Sequence, residues 1–332
     1  MPKPILITLG DPNGVGPRIA AKAWARQPVR RLGIAMVGSI DTFARALREE
    51  GVREAAIPWT PGTPMPTEGP AVWTPPGLPA CEVRPGVIDA DAGSQALACV
   101  EAAVVACLTG QARAMVTAPL AKESVALRTP GFSGHTGFIA ALCKAPSHCL
   151  ALAHGRLWAA FATTHVALRD VPDLLTTESI TATGRLLEKA LRTTGVASPR
   201  IGVAGLNPHA GEHGLFGNEE ETVVSPAIER LRSEGIDASG PWPADVVFPL
   251  LKAGKVDGVV CLYHDQGHPV MKTLAFDLKR NHLRGVNVTL GLPIVRTSPD
   301  HGTGFDIAWK GVADDGSLVD AIRLANKLSR GR

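Results

Sequence analysis

Residues 256–272 read VDGVVCLYHDQGHPVMK. The apolar run from Val256 to Leu262 has the length of a buried strand, and it runs directly into Tyr263-His264-Asp265. Two other stretches repeat this plan. Trp158 to Ala162 leads into Thr163-Thr164-His165, and Arg200 to Gly205 opens LNPHAGEHG, which carries His209. Helical periodicity fills the intervals between them. Strands that alternate with helices predict an α/β protein with a largely parallel sheet. In such sheets ligands bind at the carboxyl ends of the strands, so three strand-end histidines are positioned to converge.

The rest of the chain extends the same alternation. Ile5 to Leu9 reads as a strand, and GDPNGVGPRIAAKAW follows it, with Pro17 near the helix start. Strand, glycine turn and helix form an arrangement that can cradle an anion, but the same glycines also serve a tight turn alone. Leu32 to Val37 predicts a second strand, and Asp41 is the candidate cap of the next helix. Residues 58–85 are rich in proline and predict an extended excursion. An alanine-rich helix runs from Ala90 towards Gly110, and Ala114 to Thr117 is a strand. GFSGHTGF places His135 and Thr136 at the mouth of an apolar helix. Leu150–Ala153 and Trp158–Ala162 predict a hairpin or adjacent strands, and about Thr177 to Thr193 a long helix. The loop after Gly205 has no apolar period. Gly240-Pro241-Trp242-Pro243-Ala244-Asp245 precedes a short helix, and Leu318 to Leu328 closes the chain as a helix.

Composition narrows the function classes. At 332 residues the chain suits two domains or subdomains. A net charge of +3 with no clustered basic face argues against nucleic-acid binding. No unbroken apolar run approaches a bilayer span, and the N-terminal run is too short for a secretory core. The six cysteines show no CxxC spacing and read as reduced, buried hydrophobes, which predicts a cytoplasmic protein.

The candidate chemistry lies in a few side chains. Imidazole suits borderline divalent metals, and three ligands leave a position for water or substrate. That makes His165, His209 and His264 candidate metal ligands, with His213 a neighbour of His209. Lys272, eight residues after His264, and Arg296, after the strand-like GLPIV, are candidate phosphate or carboxylate binders. Asp245 and Asp265 are candidate acid–base groups. Asp265 could equally hold a histidine tautomer, and Asp245 could cap the helix after Pro243.

Eight motifs now stand in order: GDPNGVGP, VTAPLAK, GFSGHTGF, ATTHVALRDV, LNPHAGEHGLFGNEE, GPWPAD, YHDQGHPVMK and VNVTLGLPIVRTSPDHGTGFDIA. Over about Thr8 to Ala308 they resemble the 4-hydroxythreonine-4-phosphate dehydrogenases of vitamin B6 synthesis. The resemblance implies two α/β/α domains with a cleft between them, similar to isocitrate and isopropylmalate dehydrogenases. By this analogy residues 1–134 with 290–332 form the first domain and 135–289 the second. It further implies a homodimer with a shared active site, a divalent metal (Zn, Mg or Co), and NAD or NADP. The family's metal histidines fall on His165, His209 and His264. Its substrate contacts fall on His135, Thr136, Lys272, Asn287 and Arg296, and Lys272 and Asp245 are the implied catalytic candidates. His301, Gly302 and Thr303 look like the adenosine-side cofactor loop. The implied reaction oxidises the C3 hydroxyl of 4-phosphooxy-L-threonine, and loss of carbon dioxide gives 3-amino-2-oxopropyl phosphate. Paralogues of the family oxidise four-carbon sugar-acid phosphates or the cis-dihydrodiol of terephthalate. An inactive metabolite-binding relative would have lost metal or anion ligands, and none is lost here. Four features depart from the family pattern. The Lys272–Asn287 interval is about six residues longer, around LKRNHL; Gly137 replaces a glutamate, Arg18 an acidic residue, and His268 an aliphatic one.

Overall fold

Ile5, Leu6 and Ile7 are wholly buried, as a strand covered on both faces of a parallel sheet must be. The structure, a computed structural model, describes residues 3–277 and 282–331. The chain is mixed α/β with mostly parallel strands, and it divides into two compact units.

The first unit comprises Met1–Ala145, Asp277–Val286 and Leu292–Arg330. Its strands lie in the order Ile57–Pro58, Ala71–Trp73, Ile34–Val37, Ile5–Thr8, Ala114–Thr117, Arg296–Pro299. Ile5 pairs with Ile34 on one side and Ala114 on the other, in parallel register. Helices Gly16–Ala25, Ile40–Glu49, Ala90–Leu108 and Gly316–Arg330 belong to this unit. The helix Ala90–Leu108 is long and apolar enough to cross a membrane, yet most of it is buried as a core helix. Gly93 shows why: a Cβ there would meet the Ser124 carbonyl oxygen at 2.4 Å, so only glycine permits this contact. The helix His135–Leu142 falls within this unit because Ile139 and Ala140 join its core. The first segment of this unit ends at Ala145.

The second unit comprises Pro146–Phe276 and Asn287–Gly291, with the C-terminal Gly331–Arg332. Its strands follow the order Val286–Leu290, Cys149–His154, Leu157–Phe161, Gly258–Cys261, Arg200–Ala204, Asp237–Trp242. Cys149–His154 and Leu157–Phe161 form the predicted antiparallel hairpin. Leu157–Phe161, Arg200–Ala204 and Asp237–Trp242 run parallel to their neighbours among the last four. Leu152, Phe161, Val247, Val259 and Met271 centre the core.

Several expectations are corrected. Ser39, not Asp41, caps the helix Ile40–Glu49, its side chain accepting from the Thr42 N–H at 3.3 Å. Asp237–Trp242 is a strand that the sequence reading does not mark. It is an edge strand with a register shift opposite Gly202 to Ala204, where proline and glycine are tolerated. Arg296 begins a strand rather than following one. Asp245 does not cap its helix; Pro243 occupies the cap, and Asp245 is exposed in the first turn. The extra residues near LKRNHL fall largely on 278–281, outside the described residues, between short strands Phe276–Asp277 and His282–Leu283.

Candidate functional site

In the second unit the strand ends gather imidazoles. Beyond Phe161 the ladder continues: the Ala162 and Thr163 N–H groups donate to Cys261 and Leu262 carbonyls at 2.9 and 3.2 Å. This brings the His165 ring to 5.5 Å from that of His264. His264 is the first residue of the helix His264–Ala275, and Lys272 lies two turns along it. The helix seats closely on the sheet, because a Cβ on Gly267 would meet Cys261 Sγ at 2.6 Å and the Phe161 ring at 2.8 Å. The His264 Nδ1 lies 2.6 Å from Asp265 Oδ1. With Nδ1 protonated towards that carboxylate, Nε2 is the nitrogen left to bind a metal.

His268 completes the cluster. Its ring stacks on His264 with centroids 3.8 Å apart and planes 10° apart, and it lies 4.7 Å from Phe161. Burial, then charge interactions with His264, Lys272 and His165, push its pKa down to about 3. It is therefore a neutral ring at physiological pH.

Sequence reading overlooked Gln266. This buried side chain accepts from the Leu262 N–H and donates to the Gly205 carbonyl, each at 2.7 Å. It thereby ties together the ends of the two strands that lead to His264 and His209. Its only local signal is an amide two residues after a strand-end histidine.

His209 sits in an unusual backbone segment. His209, Ala210, Gly211, Glu212 and His213 all have positive φ, at 53, 55, 80, 42 and 58°. Non-glycine residues hold such angles only when their surroundings impose them. Glu220 braces the chain just before this segment. It is 6% exposed, and its carboxylate accepts from the Leu206 and Asn207 N–H groups at 2.7 Å each and from Asn207 Nδ2 at 2.9 Å. His209 Nδ1 lies 2.6 Å from Glu212 Oε1, again leaving Nε2 for a ligand. A cavity of about 560 Å³ borders this loop, lined by His209, Glu212, His213, Glu220, Trp242 and Pro243. Among the described residues no three histidine, cysteine or acidic side chains stand grouped as a formed metal site. The structure brings His165 and His264 together and places His209 on its own loop.

The first unit buries a guanidinium and an imidazole. Arg296 is 3% exposed and donates to Thr117 Oγ1 at 2.7 Å. Burial lowers its pKa to about 10, so it stays charged at neutral pH. His135 has a buried Nε2 without a hydrogen-bond partner. Burial, then the charges of Arg296 and Lys122, hold its pKa well below the usual histidine range. A buried guanidinium whose charge is felt by a buried imidazole is chemistry suited to a phosphate. Thr136 follows His135 in the first turn of its helix. Asn287, in the second unit, is half-buried on the strand Val286–Leu290.

The N-terminal glycine turn is not an open anion cradle. The Asn13, Gly14 and Val15 N–H groups donate to Asp11 Oδ1, the Asp11 carbonyl and the Thr303 carbonyl, at 2.9, 3.0 and 2.9 Å. The turn thus packs directly against the loop of His301, Gly302 and Thr303. Arg18 is also accounted for: it is buried, paired with Glu50, and bonded to the Trp309 carbonyl.

Together these features define an α/β protein with an imidazole cluster at its parallel strand ends and a buried arginine–histidine pair suited to an anion. A family model described as "Pyridoxal phosphate biosynthetic protein PdxA" matches residues 36–325, and the chain belongs to that family. The 4-hydroxythreonine-4-phosphate dehydrogenase of Caulobacter vibrioides is 42% identical, covering 99% of this chain and 98% of the relative. The D-threonate 4-phosphate dehydrogenase of Pectobacterium atrosepticum is 37% identical, covering 99% and 100%. The crystal structure of 4-hydroxythreonine-4-phosphate dehydrogenase from Klebsiella pneumoniae matches with a TM-score of 0.85 at 37% identity, covering 98% and 99%. The chain is accordingly a PdxA-type dehydrogenase, an oxidoreductase.

Proposed function

We propose that this protein is a metal-dependent NAD(P) dehydrogenase that oxidises the C3 hydroxyl of 4-phosphooxy-L-threonine, with decarboxylation to 3-amino-2-oxopropyl phosphate. The observation that carries the proposal is the approach of His165 to His264, with Nδ1 of His264 tied to Asp265. Imidazole donors fit a borderline divalent ion such as Zn or Co, and Mg, which takes oxygen ligands, less well; His165, His264 and His209 would hold the ion. When bound, the ion supplies Lewis acidity at the reacting oxygen and the nicotinamide accepts the hydride. A homodimer with a shared site, implied by the family resemblance, would bring the separated histidine together with the other two.

The remaining roles belong to the chain's own side chains. Arg296 and His135 bind the substrate phosphate, with Thr136 and Asn287 as further polar contacts. Lys272 binds the anionic substrate or takes the hydroxyl proton as oxidation proceeds. The β-keto acid so formed loses carbon dioxide, and its enol takes a proton at carbon. Asp245 is the other candidate for these proton transfers. His301, Gly302 and Thr303 form the adenosine-side loop for NAD or NADP.

A second reading, D-threonate 4-phosphate as substrate, is favoured by the full-length similarity to a dehydrogenase of that name. Both compounds are four-carbon acids with a terminal phosphate, so the same anion pair serves either. The test is NAD(P)H formation by purified protein, supplied with Zn, Mg or Co and each substrate in turn. Turnover of D-threonate 4-phosphate without turnover of the threonine phosphate would exchange the two readings. Turnover of neither would leave the terephthalate cis-dihydrodiol, the other substrate of the family's paralogues, or an inactive binding protein, and assay of the dihydrodiol separates these.

A further inference from the structure

We propose that His268 is a positioning residue for His264, holding its ring in the orientation that binds the metal; this rests on the metal reading above. The two residues lie one turn apart on the helix His264–Ala275. Their rings overlap almost face to face, 3.8 Å apart and tilted by 10°. His268 is itself fixed: it is 8% exposed and backed by Phe161 at 4.7 Å. His264 is thus restrained twice, by Asp265 at Nδ1 and by His268 across one ring face. Turning the ring would break both contacts. A ligand held in place before the ion arrives loses less freedom on binding, and such supporting contacts govern metal affinity.

The cost of an imidazole at this position strengthens the inference. His268 Nε2 is buried and makes no hydrogen bond. A buried, unsatisfied polar atom lowers stability, so packing alone favours a leucine of similar volume. What the imidazole offers that leucine lacks is a flat aromatic face laid against His264.

The test is titration of the apoprotein with Co(II), followed by its visible d–d absorption, in wild type, His268→Leu, His268→Phe and His264→Ala. His268→Leu should bind Co(II) about tenfold more weakly, with an altered band shape, as expected when a supporting contact is lost. His268→Phe keeps a flat ring that can stack on His264 and should stay within about threefold of wild type. Should His268→Leu fail to fold, His268→Met carries the same comparison. Wild-type affinity and spectrum in the Leu or Met variant would overturn the proposal while leaving the metal reading intact. Wild-type affinity in His264→Ala would instead overturn the metal reading, and this proposal with it.

Discussion

Replacing Gln266 by methionine removes two buried hydrogen bonds while nearly preserving the side chain's length and volume. The Leu262 N–H and the Gly205 carbonyl would lose the 2.7 Å partners that Gln266 now provides. Gln266 is 5% exposed, so water cannot readily replace it. Each orphaned group costs about 1–3 kcal/mol, and partial relaxation brings the expected loss to roughly 2–4 kcal/mol. This is a large share of the roughly 5–15 kcal/mol that stabilises a typical domain. Urea unfolding followed by far-ultraviolet ellipticity is the assay. With a slope of roughly 2 kcal/mol/M, the midpoint for the second unit should fall by about 1–2 M. Gln266→Glu sharpens the test through its pH dependence. A protonated glutamate can still donate to the Gly205 carbonyl, whereas the carboxylate cannot. The folded pKa of that glutamate is therefore raised, and the variant should be closer to wild type at pH 5 than at pH 8. A loss under about 0.5 kcal/mol in Gln266→Met would refute the reasoning, since surface substitutions already have effects of that size.

Three further outcomes are expected. Gly267→Ala should destabilise by about 1–3 kcal/mol in thermal unfolding, because the new methyl would press on Cys261 and Phe161; unchanged stability would mean the helix shifts freely. Arg296→Lys should lower kcat/KM for a phosphorylated substrate by about 10–100-fold, since lysine cannot reproduce the planar fork; kinetics equal to wild type would remove Arg296 from phosphate binding. Because the folded pKa of His135 lies well below its ordinary value, the unfolded chain takes up the proton first on acidification. The stability contributed by neutral His135 is therefore present above the ordinary histidine pKa of about 6.5 and is lost as pH falls below it. Melting of the apoprotein at pH 7.5 and 5.0 should show wild type losing more stability than His135→Gln, and equal losses would contradict the assignment.

The sequence alone determined the class of fold and the placement of the strand-end histidines. Hydrophobic period, turn residues and caps are local signals, so the helix Thr177–Thr193 emerges with its predicted ends and the Cys149–Phe161 hairpin is legible. It failed locally where edge position overrode composition, as at Asp237–Trp242, and where a neighbouring serine capped better than an aspartate.

Only the tertiary structure decided which of these groups meet and in what state. Thr117 and Arg296 are 179 residues apart, and no periodicity relates them until parallel strands set them side by side. Gln266 and Glu220 look like ordinary polar residues until burial makes their hydrogen bonds indispensable. His268 stands out in the sequence only as a departure from an expected aliphatic, yet packing stacks it on His264 and keeps it neutral. The glycine turn after Ile5–Thr8, compatible by sequence with an anion cradle, has its amides satisfied by Asp11 and Thr303. The physical reason is common to all four: local sequence sets backbone preference, whereas charge state, hydrogen-bond partner and ring orientation depend on what distant chain segments exclude from water.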